Sequence, residues 1–360
     1  PRCVSTVDSG NFAASLVAVK EGCLEIAEES IFRAARWDGL VDMLGLLDAD
    51  LERLENRERR ENLGRALHEM EAHCLEARGE SGRWLTTLRD LMEGEGQSFE
   101  RQLAEALEEA EGHIELFVLR DVRIWLDRVH HQIREMDREI DRYAPWLRLW
   151  PTAPESVAAL ARELEEILPL SMRLSESSDR IEKARIRLAS GDVDGEAAEW
   201  CDALLAALDE GERGHESLRR ELVGRAEEAE ENALGMDFEW LYDRQLRLFY
   251  IGYNLSADQM DSHHYDLLAS EARIASFIAI AQGDVPLEHW FHLGRSITDV
   301  AGRTCLVSWA GSMFEYLMPS LLFRSEPGTL LSQSESAAID AQKRFGAEQK
   351  VPWGVSESGF

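Results

Sequence analysis

The sequence has few lysines, and it has a large excess of acidic residues that argues against nucleic-acid binding. Four of its 39 basic residues are Lys and the rest are Arg, while 69 residues are Asp or Glu, so the net charge is −30 over 360 residues. Binding to nucleic acid depends on clustered Lys and Arg that contact phosphates. No nucleic-acid partner is therefore expected.

Cysteine is also scarce, and the usual cofactor motifs are missing. The five cysteines are widely spaced, with no CxxC or Cys/His pattern: Cys3, Cys23, Cys74, Cys201 and Cys305. This predicts free thiols in a reducing compartment and no metal site. No apolar run reaches the roughly 18 residues of a membrane helix. A Walker loop, a Rossmann glycine pattern and GxSxG are absent, so no cofactor is expected.

Acidic residues are concentrated in the first two thirds of the chain, where apolar residues recur at helical spacing. Residues 1–235 hold 53 acidic and 30 basic residues, against 16 and 9 in residues 236–360. Leucines and related side chains alternate spacings of three and four, and from Leu119 to Tyr143 a seven-residue repeat persists. Residues 23–235 are therefore predicted to be a long acidic helical, partly coiled-coil region. Breaks are expected at its Gly and Pro clusters: Gly79–Gly82, Gly94–Gly96, Pro145–Pro154, Gly191–Gly195 and Gly211–Gly214.

The two ends of the chain differ from this region. Asp8-Ser9-Gly10-Asn11 is a strong helix-start cluster, in which Asp8 or Ser9 is expected to be a simple N-cap. From Met236 onward aromatic residues become dense and acidic runs disappear. The chain starts at Pro1 and stops at Phe360, soon after a Trp-Gly pair, so we expect it to be a segment of a longer protein.

The stretch from Asp261 to Arg295 carries the most informative acid. Placed on one helix, Leu267, Leu268, Ile274, Ala275 and Ile278 form an apolar stripe. Glu271 falls in the middle of that stripe, where a carboxylate is costly to bury unless it is paired or used. Either Glu271 forms a buried ion pair with an Arg, or it is a catalytic acid whose pKa is raised by apolar surroundings.

Glycoside chemistry needs two carboxylates facing one cleft, with aromatic surfaces for the sugar rings. The last third of the chain contains suitable residues of both kinds. The carboxylates are Glu271, Glu315 and Glu357, and the aromatic residues are Tyr253, Tyr265, Trp309, Tyr316 and Trp353. Glu315 would either bind a sugar hydroxyl or cap the edge of a core. The aromatic residues would serve equally well as core side chains.

Long motifs at both ends resemble the cyclisation region of cyclic β-1,2-glucan synthases, which contains a glycoamylase-like domain. They are VSTVDSGN at residues 4–11, IGYN at 251–254, YDLLASEAR at 265–273, GDVP at 283–286, HWF at 289–291, MFEYLMP at 313–319 and WGVSES at 353–358. The resemblance covers about 150 residues, while the helical middle is similar only in character.

The resemblance implies an all-α fold, namely a partial (α/α)6 barrel. Residues 1–22 and 236–360 would supply barrel helices, truncated at the C-terminus, and residues 23–235 would be the helical insertion. Glu271 would be the acid/base and Glu357 the nucleophile. The residues implied to bind the β-1,2-glucan chain are Asp8, Ser9, Asn11, Tyr253, Asn254, Tyr265, Asp266, Arg273, Trp309, Glu315 and Trp353.

The implied activity is closure of linear β-1,2-glucan into a ring by a retaining transglycosylation. The implied partners are other domains of the same synthase, a membrane-embedded glycosyltransferase part and a phosphorylase-like part, at the cytoplasmic face of the bacterial inner membrane. Two alternatives remain open: an inverting hydrolase of β-glucan, and a non-catalytic helical scaffold. Residues 1–360 alone are expected to be inactive, because they hold only part of a barrel.

Overall fold

The computed structural model describes residues 2–54, 56–109, 116–189, 194–300 and 302–356. The chain divides into two compact units. We call Pro1–Leu24 together with Val223–Phe360 the site unit, and Glu25–Leu222 the helical unit. The assignment of the helical region as an insertion into a barrel remains a prediction.

Helices dominate the described residues, which confirms the predicted helical class, but short antiparallel strands are also present. The helices are α1 (Thr6–Glu28), α2 (Ala35–Leu51), α3 (Arg57–Gly79), α4 (Trp84–Arg89), α5 (Glu95–Glu109), α6 (Leu116–Tyr143), α7 (Ala158–Ile167), α8 (Ser177–Ala189), α9 (Gly195–Leu234), α10 (Arg273–Gln282), α11 (Glu288–His292), α12 (Met313–Leu317) and α13 (Leu330–Gln349). The strands are β1 (Cys3–Ser5), β2 (Tyr242–Asp243), β3 (Leu248–Phe249), β4 (Gly252–Asn254), β5 (Gln259–Met260), β6 (Ile297–Val300) and β7 (Arg303–Leu306).

The core of the helical unit follows the predicted periodicity. The leucines of α2 at positions 40, 44, 47 and 51 are all buried, as are Leu63, Leu67, Met70 and Cys74 of α3. Most of the seven-residue repeat on α6 is buried too, from Val122 to Tyr143. One apolar stripe per helix therefore produces a continuous core. Helix α5 precedes α6 in the chain, and residues 110–115 between them lie outside the described residues.

The break predicted at Gly211–Gly214 is wrong, since α9 runs through both glycines. A Cβ atom on Gly211 would lie 2.4 Å from the Trp146 ring, and one on Gly214 would lie 2.3 Å from the Arg142 carbonyl oxygen. Glycine is needed here for close packing of a helix, not for a turn.

The site unit joins the N-terminal segment to residues that lie about 250 positions later. Strand β1 pairs antiparallel with β4, with Val4 opposite Tyr253, and β4 pairs with β5. Gly252 allows this pairing, because a Cβ there would lie 2.3 Å from the Val4 carbonyl oxygen. The pairing fixes where α1 begins, and α1 carries Asp8 and Asn11.

Candidate active site

Glu271 lies in a loop and not on a long helix. The prediction of one helix over Asp261–Arg295 is wrong, because α10 covers only Arg273–Gln282 and is followed by its C-cap Gly283, which has a φ of 86°. Ser270 has a φ of 51°, a left-handed conformation that a right-handed helix cannot contain. Leu267, Leu268, Ile274 and Ala275 are nevertheless buried, and Glu271 is only 8% exposed. The apolar pattern identified burial correctly but not the local backbone.

Two polar side chains orient the Glu271 carboxylate. The Asn11 side-chain amide donates to Glu271 Oε1 at 2.8 Å, and the Ser270 hydroxyl donates to Oε2. The Asn11 carbonyl oxygen Oδ1 is buried and makes no hydrogen bond within the described part of the chain. These contacts contradict the alternative that Glu271 forms an ion pair with an Arg, because the partners of Glu271 are an amide and a hydroxyl.

The helix-start cluster has a different role from the one predicted. Helix α1 already begins at Thr6, and the Ser5 hydroxyl accepts a hydrogen bond from the Asp8 backbone N–H at 3.2 Å. Asp8 and Ser9 are therefore not the N-cap. A Cβ on Gly10 would lie 2.4 Å from the Cα of Ala275 on α10. Glycine thus lets α1 approach α10 closely enough for Asn11 to reach Glu271.

An aromatic pair lies beside the acid. The rings of Tyr265 and Trp309 are 6.2 Å apart between centroids and tilted by 30°. Burial and the charges of Glu271 and Asp8 raise the pKa of the Tyr265 phenol to about 12, which places all three groups in one neighbourhood. Trp309 is 56% exposed. The Trp309 indole is therefore an exposed aromatic surface, on a loop whose backbone is bonded to Leu268, three residues before Glu271.

Glu315 lies behind this surface and is only 1% exposed. Its Oε1 accepts from the Ser270 backbone N–H at 3.3 Å, and its Oε2 accepts from those of Ala310 at 2.8 Å and Ser312 at 3.4 Å. The Ser312 hydroxyl in turn accepts from the Glu315 N–H, which completes a capping box at the start of α12. The carboxylate therefore binds the protein's own backbone.

Arg273 is also buried, with 1% of its surface exposed. Its guanidinium donates to the carbonyl oxygens of Glu315 and Tyr316, each at 2.7 Å, and lies 3.6 Å from the Glu335 carboxylate. Burial lowers the pKa of Arg273 to about 10. Its contacts join α10 to α12 and α13.

Asp266 is half-buried, and its Oδ1 has no hydrogen-bond partner among the described residues. A Cβ on Gly294 would lie 3.0 Å from this carboxylate, so glycine leaves the space that the acid occupies. Burial lowers the pKa of the Arg295 guanidinium, and the negative charge of Asp266 offsets part of that shift. A buried carboxylate oxygen that has no hydrogen-bond donor is able to accept a hydrogen bond from a hydroxyl group of a ligand.

Three other residues that are predicted to bind glucan, Ser9, Tyr253 and Asn254, lie on α1 and β4. Ser9 is half-buried on α1. The Tyr253 hydroxyl donates to Asp258, and its ring packs against Trp240 at 5.6 Å. The side-chain oxygen of Asn254 accepts from the N–H groups of residues 256 and 257, which stabilises the turn after β4.

The segment after α13 leads back to the capping box. The Met313 N–H at the start of α12 donates to the Val355 carbonyl oxygen at 2.9 Å. Gln342 on α13 accepts from the N–H groups of Gly354 and Val355. Trp353 is partly exposed, with the Lys343 ammonium 5.1 Å from its ring centre. Glu357, the predicted nucleophile, lies outside the described residues.

Sequence reasoning missed two serines of this site, Ser270 and Ser312. Ser270 is the residue before Glu271, and its left-handed backbone lets its N–H and its hydroxyl bond two different carboxylates. The spacing from Ser312 to Glu315 is the S-x-x-E capping-box signature, so that signal was readable in the sequence. The conformation of Ser270 had no such signal.

The described residues contain no helix that is long and apolar enough to cross a membrane. They also hold no group of three or more His, Cys, Asp or Glu side chains with the spacing of metal ligands. All five cysteines are free thiols.

Similarity to a known protein extends over the whole chain. No protein-family model matches the chain. The whole chain aligns over 372 residues, with 32% identity, to the "Cyclic beta-(1,2)-glucan synthase NdvB" of Rhizobium meliloti. The chain is therefore similar, over its whole length, to one part of a cyclic β-(1,2)-glucan synthase. It spans about 10% of the length of that relative.

Proposed function

We propose that this chain contributes the site that closes linear β-1,2-glucan into a ring, with Glu271 as the acid/base and Glu357 as the nucleophile. The similarity to a cyclic β-(1,2)-glucan synthase supports the class of substrate. The observation that carries the proposal is the Glu271 carboxylate, which is nearly buried, oriented by Asn11 and Ser270, and next to the Tyr265–Trp309 pair.

The reaction would break one glycosidic bond and form another. Glu271, protonated, would donate its proton to the leaving glycosidic oxygen while the Glu357 carboxylate attacks the anomeric carbon. The part of the chain on the reducing-end side of that bond would leave as a shorter linear glucan that carries the donated proton. A hydroxyl at the far end of the glucan held on Glu357 would then attack the anomeric carbon. Glu271 would take the hydroxyl proton, and Glu357 would leave as a carboxylate. No net hydrolysis occurs, and two displacements retain the anomeric configuration.

Within the proposed cleft, Trp309 and Tyr265 would stack on sugar rings, and Asp8, Ser9, Asn11 and Asp266 would bind hydroxyls. The unpaired oxygens of Asn11 and Asp266 support such a role, because each has an acceptor left to use. For Tyr253, Asn254 and Trp353, binding of glucan stays a prediction that rests on the resemblance.

The wider context is also part of the proposal. The site unit would form part of an (α/α)6 barrel, with the helical unit inserted between barrel helices. The barrel would receive linear glucan from a membrane-embedded glycosyltransferase part of the same protein, at the cytoplasmic face of the inner membrane, beside a phosphorylase-like part. Residues 1–360 alone are expected not to cyclise glucan.

The test is Glu271→Gln in the full-length protein, incubated with linear β-1,2-glucan. Because Gln cannot donate or accept the proton, cyclic product should fall by about 10²- to 10⁴-fold. The exposed Glu288 gives the matched control, since Glu288→Gln makes the same change on the surface of the site unit. Cyclisation by Glu271→Gln at the wild-type rate would support the scaffold alternative. Shortened linear products with inverted anomers from the wild type would support the hydrolase alternative.

A further inference from the structure

Two loops of the proposed site meet at one carboxylate. Glu315 accepts N–H groups from the Glu271 loop through Ser270, and from the Trp309 loop through Ala310 and Ser312. The Trp309 N–H also donates to the Leu268 carbonyl oxygen at 3.3 Å, so the two loops are bonded to each other directly. The acid and the exposed indole are thus held by the same buried group.

The contact between α12 and the segment from Ser270 to Arg273 is reciprocal. The Glu315 side chain binds the backbone of Ser270, while the side chain of Arg273 binds the backbone carbonyls of Glu315 and Tyr316. Both side chains are 1% exposed. Hydrogen bonds that involve a charged group are the stronger kind, and burial shields them from water. This part of α12 therefore cannot shift without moving the start of α10.

Ser270 connects this arrangement to the acid itself. With a φ of 51°, its backbone is in the left-handed conformation, which is unfavourable for a non-glycine residue. That conformation presents the N–H to Glu315 while the hydroxyl donates to Glu271. Strain of this kind persists only where surrounding contacts hold it, and here Glu315 supplies the contact.

The segment that precedes Glu357 reaches the same place. The Val355 carbonyl oxygen accepts from the Met313 N–H, two residues before Glu315 on the first turn of α12. The start of α12 is therefore bonded to the Glu271 loop, to the Trp309 loop and to residue 355.

We infer that Glu315 is a positioning residue, which sets the placement of Glu271 through Ser270 and aligns it with the Trp309 surface. It does so by accepting backbone N–H groups and does not bind glucan itself. The inference rests on the proposed function, since it assigns how the acid of that site is held.

The experiment measures kcat and KM for cyclisation of linear β-1,2-glucan by the full-length protein. In Glu315→Gln one acceptor oxygen becomes an NH2 group that faces backbone N–H groups, so at least one loop must move. A displacement near 1 Å at the acid lowers kcat by about 10²-fold. We expect that loss in kcat with little change in KM, because Glu315 itself contacts no sugar and the Trp309 N–H keeps its own bond to the Leu268 carbonyl oxygen.

Ser270→Gly separates the two bonds of Ser270. Glycine keeps the N–H to Glu315 and accepts the positive φ without strain, but it lacks the hydroxyl that orients Glu271. We expect folding to be retained and kcat to fall about tenfold, again with KM unchanged. Ser270→Ala loses the same hydroxyl and keeps the strain, so its kcat should match that of Ser270→Gly while its thermal stability is lower.

The outcomes are distinct. A raised KM with unchanged kcat in Glu315→Gln would mean that the carboxylate contacts glucan, and it would overturn the inference. Wild-type kcat in Ser270→Gly would overturn it also, even if Glu315→Gln did not fold. Glu271→Gln is measured in parallel: if that variant still cyclises glucan, the proposed function fails and not merely the role of Glu315.

Discussion

The two units of the molecule bury polar groups to very different extents. Among the described residues, nine of the buried polar or charged side chains belong to the site unit: Thr6, Glu271, Arg273, Ser276, His289, Ser308, Ser312, Glu315 and Ser334. Four belong to the helical unit: Asp50, Thr87, Ser177 and His215. The helical unit instead buries long aliphatic stripes and keeps most of its ion pairs at the surface.

The sequence determines the structures of the two units in different ways. In the helical unit each helix needs only an apolar face, so many side chains of similar size would serve at each position. In the site unit each buried polar atom needs a particular partner, because an unpaired one costs about 1–3 kcal/mol. Substitutions that remove one buried group in each unit should therefore have unequal effects.

The largest difference is expected for arginine. Replacing Arg273 by Met leaves two backbone carbonyls and Glu335 without their cation, which should destabilise the site unit by about 3–5 kcal/mol. Arg185 on α8 offers the matched change, since it pairs with Asp209 and Glu212 at a partly exposed position. Arg185→Met should cost at most about 1 kcal/mol.

Hydrogen exchange followed by mass spectrometry on the full-length protein measures both, using peptides from α10 and α12 for Arg273 and from α8 and α9 for Arg185. Equal protection losses in the two variants would contradict the contrast between the units.

The sequence predicts the structure of the helical unit better than that of the site unit. The spacing of Leu40, Leu44 and Leu47 predicted their burial, because a helix repeats every 3.6 residues whatever surrounds it. The loop that holds Glu271 was predicted as helix, because its conformation depends on Glu315, 45 residues away, and not on local pattern. Similarly, Gly10 and Asn11 looked like part of a helix start, although their roles involve Ala275 and Glu271. Contacts between distant polar residues leave no periodic signal in one sequence.

The helical unit does contain one polar group whose burial should be measurable by pH. His215 on α9 is 4% exposed, between the rings of Tyr143 and Trp146 at 6.2 and 6.1 Å, and its Nδ1 has no partner among the described residues. Burial lowers the pKa of His215 to about 4, from an ordinary value of 6.5. The folded protein therefore holds this imidazole neutral where an unfolded chain would protonate it.

Burial of neutral His215 makes the folded state less stable at low pH. Between pH 6.5 and 4 the unfolded state binds a proton that the folded state does not, so the free energy of unfolding falls as pH falls through this range. The total is about 3 kcal/mol at 1.36 kcal/mol per pKa unit. Hydrogen exchange of α9 peptides, corrected for the intrinsic pH dependence, should show this loss in the wild type. The loss should be about 3 kcal/mol smaller in His215→Phe, and an unchanged slope in that variant would show that His215 is protonated when folded.

The smallest effect on stability, but the sharpest contrast in function, is expected from two glycines. A Cβ on Gly10 would meet Ala275, and a Cβ on Gly211 would meet the Trp146 ring, at 2.4 Å in both cases. Gly10→Ala and Gly211→Ala should therefore each destabilise their own unit by about 1–3 kcal/mol through overpacking. Only Gly10→Ala should move α1 away from α10 and weaken the bond from Asn11 to Glu271, and so lower kcat for cyclisation.

Asn11→Ala provides the comparison for that last step, because it removes the same hydrogen bond without pushing the helices apart. If kcat falls similarly in Gly10→Ala and Asn11→Ala while Gly211→Ala keeps the wild-type value, the close approach of α1 serves to place Asn11 against the acid. If Gly211→Ala lowers kcat as much as Gly10→Ala does, overpacking in the helical unit reaches the site as well. The contrast between a helical unit held by apolar packing and a site unit whose polar contacts place the acid would then no longer hold.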